Sequence, residues 1–69
     1  MADRLLIADD ERDITDMLAR FFRERGYDVL CAYTGVEAVR AAGSKPDLIL
    51  LGVGLPDIDG LEVCRLIRE

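Results

Sequence analysis

Histidine is absent from this 69-residue chain, and lysine occurs only once, at Lys45. Histidine is the side chain most often used for proton transfer near neutral pH, so few groups here are suited to acid–base catalysis. Gly52 and Gly54 do not make a phosphate-binding loop, because the lysine and hydroxyl residues of a P-loop and the spacing of a dinucleotide fingerprint are missing. The sequence therefore gives no support to a hydrolase or a nucleotide-binding enzyme.

Cysteine and long apolar runs are also scarce. Cys31 and Cys64 are isolated from each other in apolar segments, so we interpret both as buried reduced thiols rather than as a redox pair or a disulfide framework. The apolar run near the N-terminus is four residues long, too short for a signal peptide or a transmembrane helix. These absences predict a cytoplasmic protein with no membrane partner.

Fourteen acidic residues against nine basic ones give the chain a formal net charge of −5. This charge disfavours non-specific binding to nucleic acid, so we expect no direct nucleic-acid partner. The hydrophobic content of 51% and the charged content of 33% are typical of a soluble globular protein. Residues 1–69 suffice for at most one small domain, which buries only about 60% of the surface that its unfolded chain exposes.

The hydrophobic pattern alternates along the chain between strand-like and helix-like periods. Short apolar runs predict three strands, and each run is followed by helical spacing. The runs span residues 4–8, 27–32 and 48–51. An apolar stripe in the first helix is interpreted as core packing against the sheet. It consists of Ile14, Met17, Leu18, Phe21 and Phe22. Gly26 is placed to end this helix, and the capping-box spacing of Thr34 and Glu37 to begin the next.

The order strand–helix repeated three times predicts an α/β fold with a parallel sheet and right-handed crossovers. In the flavodoxin-like arrangement the strand order is 2-1-3, with the third strand beside the first. The run Leu48–Leu51 is the most apolar, so we expect it to be central and covered on both faces. The loops after the first and third strands then meet, which places Asp9, Asp10 and Gly52 at one crevice.

Two interpretations of the acidic residues after the first strand stay open at this point. Clustered carboxylates at strand ends suit Mg²⁺, which takes one or two protein carboxylates together with water and phosphate oxygens. Asp9 and Asp10 are candidates for that role. The alternative is that they place negative charge at the N-terminus of the following helix, where the helix dipole favours it.

Several motifs at matching mutual spacing resemble the N-terminal part of a bacterial two-component response regulator receiver domain of the CheY-like family. The matching segments are Leu5–Glu11, Gly26-Tyr27, Thr34–Ala38 and Pro46–Val63. The resemblance implies a flavodoxin-like sheet of five parallel strands flanked by five helices. Residues 1–69 would then be a receiver domain truncated after its third strand and third helix, without the later Thr/Ser and Lys of the family.

The resemblance also implies a set of site residues. Asp9 and Asp10 match the acidic pair that binds Mg²⁺, and Gly54 matches the residue whose main-chain carbonyl completes the metal site. The loop residues that match are Pro56, Asp59 and Gly60. Gly52, however, stands where the family has the aspartate that accepts phosphate from a sensor histidine kinase.

A glycine at the phosphoacceptor position has two expected consequences. Gly52 has no side chain to attack a phosphoryl group, so the chain is not expected to be phosphorylated there. It also supplies no metal ligand, so Mg²⁺ binding is expected to be weak at best. Asp57 and Asp59 lie five and seven residues further along, beyond Pro56, and we interpret them as turn and cap residues rather than as substitutes.

Two functions remain. The first is a phosphorelay receiver whose partner is a sensor histidine kinase or another receiver. The alternative is a pseudo-receiver, a phosphorylation-independent interaction or dimerisation module. The predicted truncation would leave strand three as an exposed apolar edge, which favours a homo-oligomer formed through that edge.

Overall fold

The computed structural model describes residues 3–52, 55–57 and 60–68. Three strands alternate with three helices, as the periodicity predicts. The strands are β1 (Arg4–Ala8), β2 (Asp28–Ala32) and β3 (Leu48–Leu51). The helices are α1 (Arg12–Glu24), α2 (Gly35–Ala42) and α3 (Gly60–Arg68). None of the helices in these ranges is long and apolar enough to cross a membrane.

The three strands form one parallel sheet in the order β2-β1-β3, which confirms the flavodoxin-like strand order. The central strand β1 pairs on both sides: Leu5 lies opposite Val29 of β2 and opposite Leu48 of β3. Because all strands run the same way, their carboxyl ends lie along one edge of the sheet. Asp9 and Gly52 follow directly at that edge.

Two clusters of buried residues lie on opposite faces of the sheet. The first cluster lies on the face covered by α2 and α3, and consists of Leu6, Ala8, Ala32, Ala38, Leu55 and Val63. The second lies under α1, and consists of Leu5, Ile7, Ala19 and Val29. Alternate residues of β1 enter the two clusters, as the twofold period of a strand requires. The strand β1 is thus buried on both faces.

The apolar stripe of α1 was predicted to be core, and for three of its five members this is wrong. Ile14, Met17 and Phe21 are exposed at 44%, 61% and 45%. The residues that α1 does bury are Thr15 and Ala19, and Leu18 and Phe22 are only partly covered. The reason is the position of the helix. It packs mainly over β1 and β2, and only the side of the helix that carries Thr15 and Ala19 is buried there.

The sequence leads to two expectations for β3: a central strand covered on both faces and, for a truncated domain, an exposed apolar edge. The described residues show the second. The strand lies at the edge of the described sheet, beyond β1. Its residues alternate in exposure: Ile49 and Leu51 pack against the cluster under α2 and α3, whereas Leu48 and Leu50 are exposed at 58% and 36%. The strand is apolar throughout, yet only one of its faces is covered.

The helix ends agree with the signals in the sequence. Gly26 follows α1 with a φ of 93°, a left-handed conformation that glycine adopts without strain. At the start of α2 the Thr34 Oγ1 accepts a hydrogen bond from the Glu37 N–H at 3.1 Å. The Glu37 carboxylate accepts in turn from the Tyr33 N–H at 2.8 Å, which completes the capping box one residue earlier than its usual return partner.

Candidate functional site

The carboxyl ends of β1 and β3 are held side by side by main-chain hydrogen bonds. Ala8 lies opposite Leu51 in the parallel register, and the Gly52 N–H donates to the Ala8 carbonyl oxygen at 2.7 Å. On the other side, the Asp9 N–H donates to the Ala32 carbonyl oxygen at 3.0 Å. Asp9 and Gly52 are therefore neighbours across two strands, as the sequence predicts.

The Asp9 carboxylate lies in the space that a side chain at residue 52 would need. A Cβ built on Gly52 would lie 2.8 Å from Asp9 Oδ2 and 3.0 Å from Asp9 Cγ, both closer than carbon contacts normally allow. The backbone does not require glycine here, because Gly26 is the only described glycine in the left-handed region. The Asp9 carboxylate therefore occupies the space that glycine leaves open at residue 52.

Local hydrogen bonds hold the segment that carries the two aspartates. Asp9 Oδ1 accepts from the Glu11 N–H at 3.1 Å, and the Thr15 hydroxyl donates to the Asp9 carbonyl oxygen at 3.3 Å. Thr15 is fully buried, so this contact ties the loop to the first turn of α1. Asp9 is half-buried and Asp10 is exposed to solvent. Both open interpretations remain compatible with this geometry, since the carboxylates lie at a strand end and also before a helix.

A cleft of about 250 Å³ opens beside Asp9 and Gly52. Its walls are mostly apolar, and Asp9 is the only ionisable residue among them. The lining residues are Ile7, Ala8, Asp9, Leu18, Leu50, Leu51 and Gly52. The cleft therefore joins the acidic strand ends to the uncovered face of β3.

The described residues do not supply a complete magnesium site. No group of three His, Cys, Asp or Glu side chains lies close enough together in residues 3–52, 55–57 and 60–68 to hold a metal ion. Asp9 and Asp10 are present, but residue 52, where the resemblance implies a further carboxylate, is a glycine whose Cβ would meet Asp9 itself. The donor set thus fits a full three-ligand site poorly.

The loop after β3 is described in part. Gly54 and Asp59, both assigned to the site from the sequence, lie outside the described residues. Pro56 is exposed, and Gly60 is the first residue of α3. Leu55, with an exposed fraction of 7%, is buried in the cluster under α2 and α3.

Sequence reasoning missed the partner of Asp57. Its carboxylate accepts hydrogen bonds from the N–H groups of Gly35 and Val36 at 2.6 Å and 3.1 Å. Asp57 therefore caps α2, an element remote from it in sequence. The contact joins residues more than twenty positions apart, so no local spacing signals it. Both oxygens of this carboxylate are hydrogen-bonded to α2, which disfavours a role for Asp57 as a substitute acceptor at residue 52.

A second polar group missed from the sequence lies at the end of β2. The Tyr33 hydroxyl donates to Asp16 Oδ1 at 2.6 Å, and this hydrogen bond raises the pKa of the Tyr33 phenol above its ordinary value. The Arg12 guanidinium lies 4.1 Å from the centre of the Tyr33 ring. Nearby, burial raises the pKa of the Cys31 thiol, which is a free cysteine. Cys31 is half-buried and not fully buried as predicted, and the side chain of Cys64 lies outside the described part of the structure.

Comparison with known families gives a match over almost the whole chain. The model of the family described as response regulator receiver domain matches residues 5–69. This range includes both strand ends described above and the loop that follows β3.

Solved structures agree with that match. The response regulator TrrA of Thermotoga maritima, in complex with Mg²⁺ and BeF, is 39% identical, with a TM-score of 0.87 over 96% of this chain and 58% of its own. A putative response regulator from Chloroflexus aurantiacus is 36% identical, with a TM-score of 0.89 over 100% of this chain and 57% of its own. CheY4 of Vibrio cholerae is 29% identical, with a TM-score of 0.93 over 99% and 57%. The chain spans little more than half the length of these relatives.

Proposed function

This chain belongs to the response regulator receiver domain family, and we propose that it is a receiver-type signalling module that does not accept a phosphoryl group at residue 52. Receiver domains of two-component systems are generally signalling modules and not enzymes. The observation that carries the proposal is Gly52, at the end of β3, with the Asp9 carboxylate in the space beside it. We assign residues 1–69 to the N-terminal part of such a domain.

The chemistry of phosphoryl acceptance requires an oxygen nucleophile at the strand end. Gly52 offers only main-chain atoms, and its N–H is already engaged with the Ala8 carbonyl. Asp57 is engaged on α2. The carboxylate that lies beside Gly52 is that of Asp9, which in our assignment belongs with Asp10 to the metal-binding pair and not to the acceptor position.

Magnesium binding in this proposal is weak. TrrA, the solved relative described above, holds Mg²⁺ together with BeF. In this chain Asp9 and Asp10 would hold the ion, with the main-chain carbonyl of Gly54 as the third protein ligand. The aspartate that would complete the set is missing at residue 52. Bound Mg²⁺ would supply positive charge beside a phosphoryl group. That charge cannot promote phosphorylation in the absence of an acceptor carboxylate.

The proposed partner is a sensor histidine kinase or another receiver in the cytoplasm. The support lies on α1, where Ile14 and Met17 are exposed and stand one to two turns from the acidic strand end. Exposed apolar side chains next to a polar rim are a frequent feature of protein interfaces. Neither a nucleic acid nor a membrane is proposed as a partner, since the net charge is −5.

Phosphorylation at residue 52 is tested with acetyl phosphate and Mg²⁺, followed by intact-mass measurement. We expect no phosphoryl adduct on the unchanged chain and an alkali-labile, hydroxylamine-sensitive adduct on the Gly52→Asp variant. Gly52→Ala is the matched control, because it adds the same Cβ without a carboxylate. An adduct on the unchanged chain, mapped to any residue of the strand ends, would overturn the proposal.

The second candidate is an interaction module that pairs through β3 with another copy of this chain. Leu48 and Leu50 are exposed, and no described strand pairs with the outer side of β3. The unpaired main-chain groups of such an edge strand, together with its exposed leucines, make it a template for pairing with β3 of a second copy. Sedimentation at rising concentration tests this. We expect Leu48→Lys to abolish association and the control Leu61→Lys, at a 75% exposed residue of α3, to leave it unchanged.

A further inference from the structure

A carboxylate from the connection between β3 and α3 lies on the N-terminus of α2. Asp57 Oδ1 accepts a hydrogen bond from the Gly35 N–H at 2.6 Å, and Oδ2 accepts one from the Val36 N–H at 3.1 Å. The first N–H groups of a helix have no partner inside the helix, and the helix dipole favours negative charge there. One carboxylate therefore satisfies two of these groups, with one oxygen for each.

The local cap of α2 does not duplicate this contact. Thr34 Oγ1 accepts from the third N–H of the helix, that of Glu37, at 3.1 Å. Asp57 takes the first and second N–H groups. The helix thus has a cap from its own preceding residue and a cap from a segment that is remote in sequence. The two caps act on different atoms and can be removed separately.

A second anchor lies two residues before Asp57. Leu55 is buried in the same hydrophobic cluster as Ala38 of α2. Pro56, between the two anchors, has a backbone φ fixed by its ring. A buried leucine and a bidentate carboxylate therefore fasten this short segment to the sheet and to α2 at the same time.

We propose that Asp57 is a positioning residue that ties the segment after Gly52 to α2, so that the end of β3 and the N-terminus of α2 shift together. A displacement of the strand end is then passed to α2, and a partner bound at the start of α2 acts back on the strand end. This coupling does not require an acceptor at residue 52. The role of Asp57 is therefore independent of the proposed function, and phosphorylation of this chain would not contradict it.

The hydrogen bonds are tested first on the unchanged chain, labelled with ¹⁵N and ¹³C. A scalar coupling across the hydrogen bond, between the Gly35 nitrogen and the Asp57 carboxylate carbon, is expected, together with a downfield Gly35 amide proton because the bond is short. Absence of both signals in a folded chain would overturn the proposal.

The positioning role is tested by comparing Asp57→Ala with Thr34→Ala. We expect Asp57→Ala to speed amide exchange at Gly35 and Val36 by about tenfold, the size of a lost cap, and to shift the amide signals of Gly52 and Leu55. Asp57→Asn, which keeps one acceptor oxygen, should give an intermediate result.

Thr34→Ala is the matched control because it weakens the same helix end through the other cap. It should speed exchange at Glu37 and leave the amide signals of Gly52 and Leu55 unchanged. If both variants shift the strand-end signals equally, or neither shifts them, Asp57 is only a helix cap and the positioning role is refuted. If Asp57→Ala does not fold, the comparison is made with Asp57→Asn, for which the same two outcomes decide.

Discussion

The strands β1 and β3 are neighbours in register and similar in composition, but their surroundings are opposite. The strand β1 pairs on both sides, is buried on both faces and ends in two carboxylates. The strand β3 pairs with one described strand, is covered on one face and ends in Gly52. The contrast shows that an apolar run determines where a strand forms, whereas the burial of that strand depends on which strands and helices pack beside it.

The largest effect expected from this contrast is on stability. Leu5 and Leu48 are direct partners across the two strands, yet they are 2% and 58% exposed. Leu5→Ala should lower the free energy of unfolding by about 2–5 kcal/mol, because it removes a buried side chain and leaves a cavity. Leu48→Ala should lower it by less than about 1 kcal/mol. Denaturant unfolding of both variants checks this, and equal losses would mean that Leu48 is covered in solution.

The next largest effect is expected when the end of β3 receives the carboxylate that it lacks. Gly52→Asp should raise the affinity for Mg²⁺ by about tenfold or more, because a third carboxylate joins Asp9 and Asp10. A titration with Mg²⁺ followed by calorimetry measures the change. Gly52→Ala, which adds no ligand, should bring no gain, and an equal gain there would show that displacement of Asp9 alone improves the site.

A smaller effect concerns the fit between residue 52 and Asp9. Replacing glycine by alanine at a compatible backbone position stabilises a protein by about 0.4–1 kcal/mol. In the chain with Asp9 unchanged, we expect Gly52→Ala to stabilise the protein by less than this, since the new Cβ meets Asp9 Oδ2 at 2.8 Å. In an Asp9→Ala background the full gain should appear. Unfolding measurements on the four members of this cycle give the coupling directly, and additive effects would contradict the steric explanation.

The smallest expected effect concerns the other outer strand, β2. The pKa of Tyr33 is raised by its hydrogen bond to Asp16, so this contact contributes to stability below the ordinary phenol pKa of 10.0 and is lost as the pH rises through the raised value. Absorbance titration of a Tyr27→Phe variant isolates the Tyr33 signal. Asp16→Asn should lower the pKa of Tyr33 towards its ordinary value, and no change would show that the hydrogen bond is not formed in solution.

Much of the fold was predictable because it depends on local patterns. The strand and helix periods, the capping box at Thr34 and Glu37, and the turn at Gly26 are all set within a few residues. The strand order followed from the fold class. Burial was less predictable: the apolar flank of α1 and the outer face of β3 have the composition of core residues, and only the placement of α1 over β1 and β2 leaves them exposed.

The candidate site shows the same division. That Asp9 and Gly52 lie side by side follows from a parallel sheet with order 2-1-3, and the sequence predicts it. The position of the Asp9 carboxylate over Gly52, and of Asp57 on α2, depends on side-chain placement between remote segments. No spacing rule contains that information. The assigned roles of Asp9, Asp10, Gly54, Pro56, Asp59 and Gly60 stay predictions.

The arrangement of β1 between its two neighbours also sets an order of folding events. Arg4 contacts Asp28 across 24 positions of the chain and Asp47 across 43. Loop-closure entropy makes the longer connection costlier by about 0.5 kcal/mol, and contacts between distant residues form more slowly. The unit β1–α1–β2 should therefore assemble first, and β3 should join a preformed template as the last strand of the three.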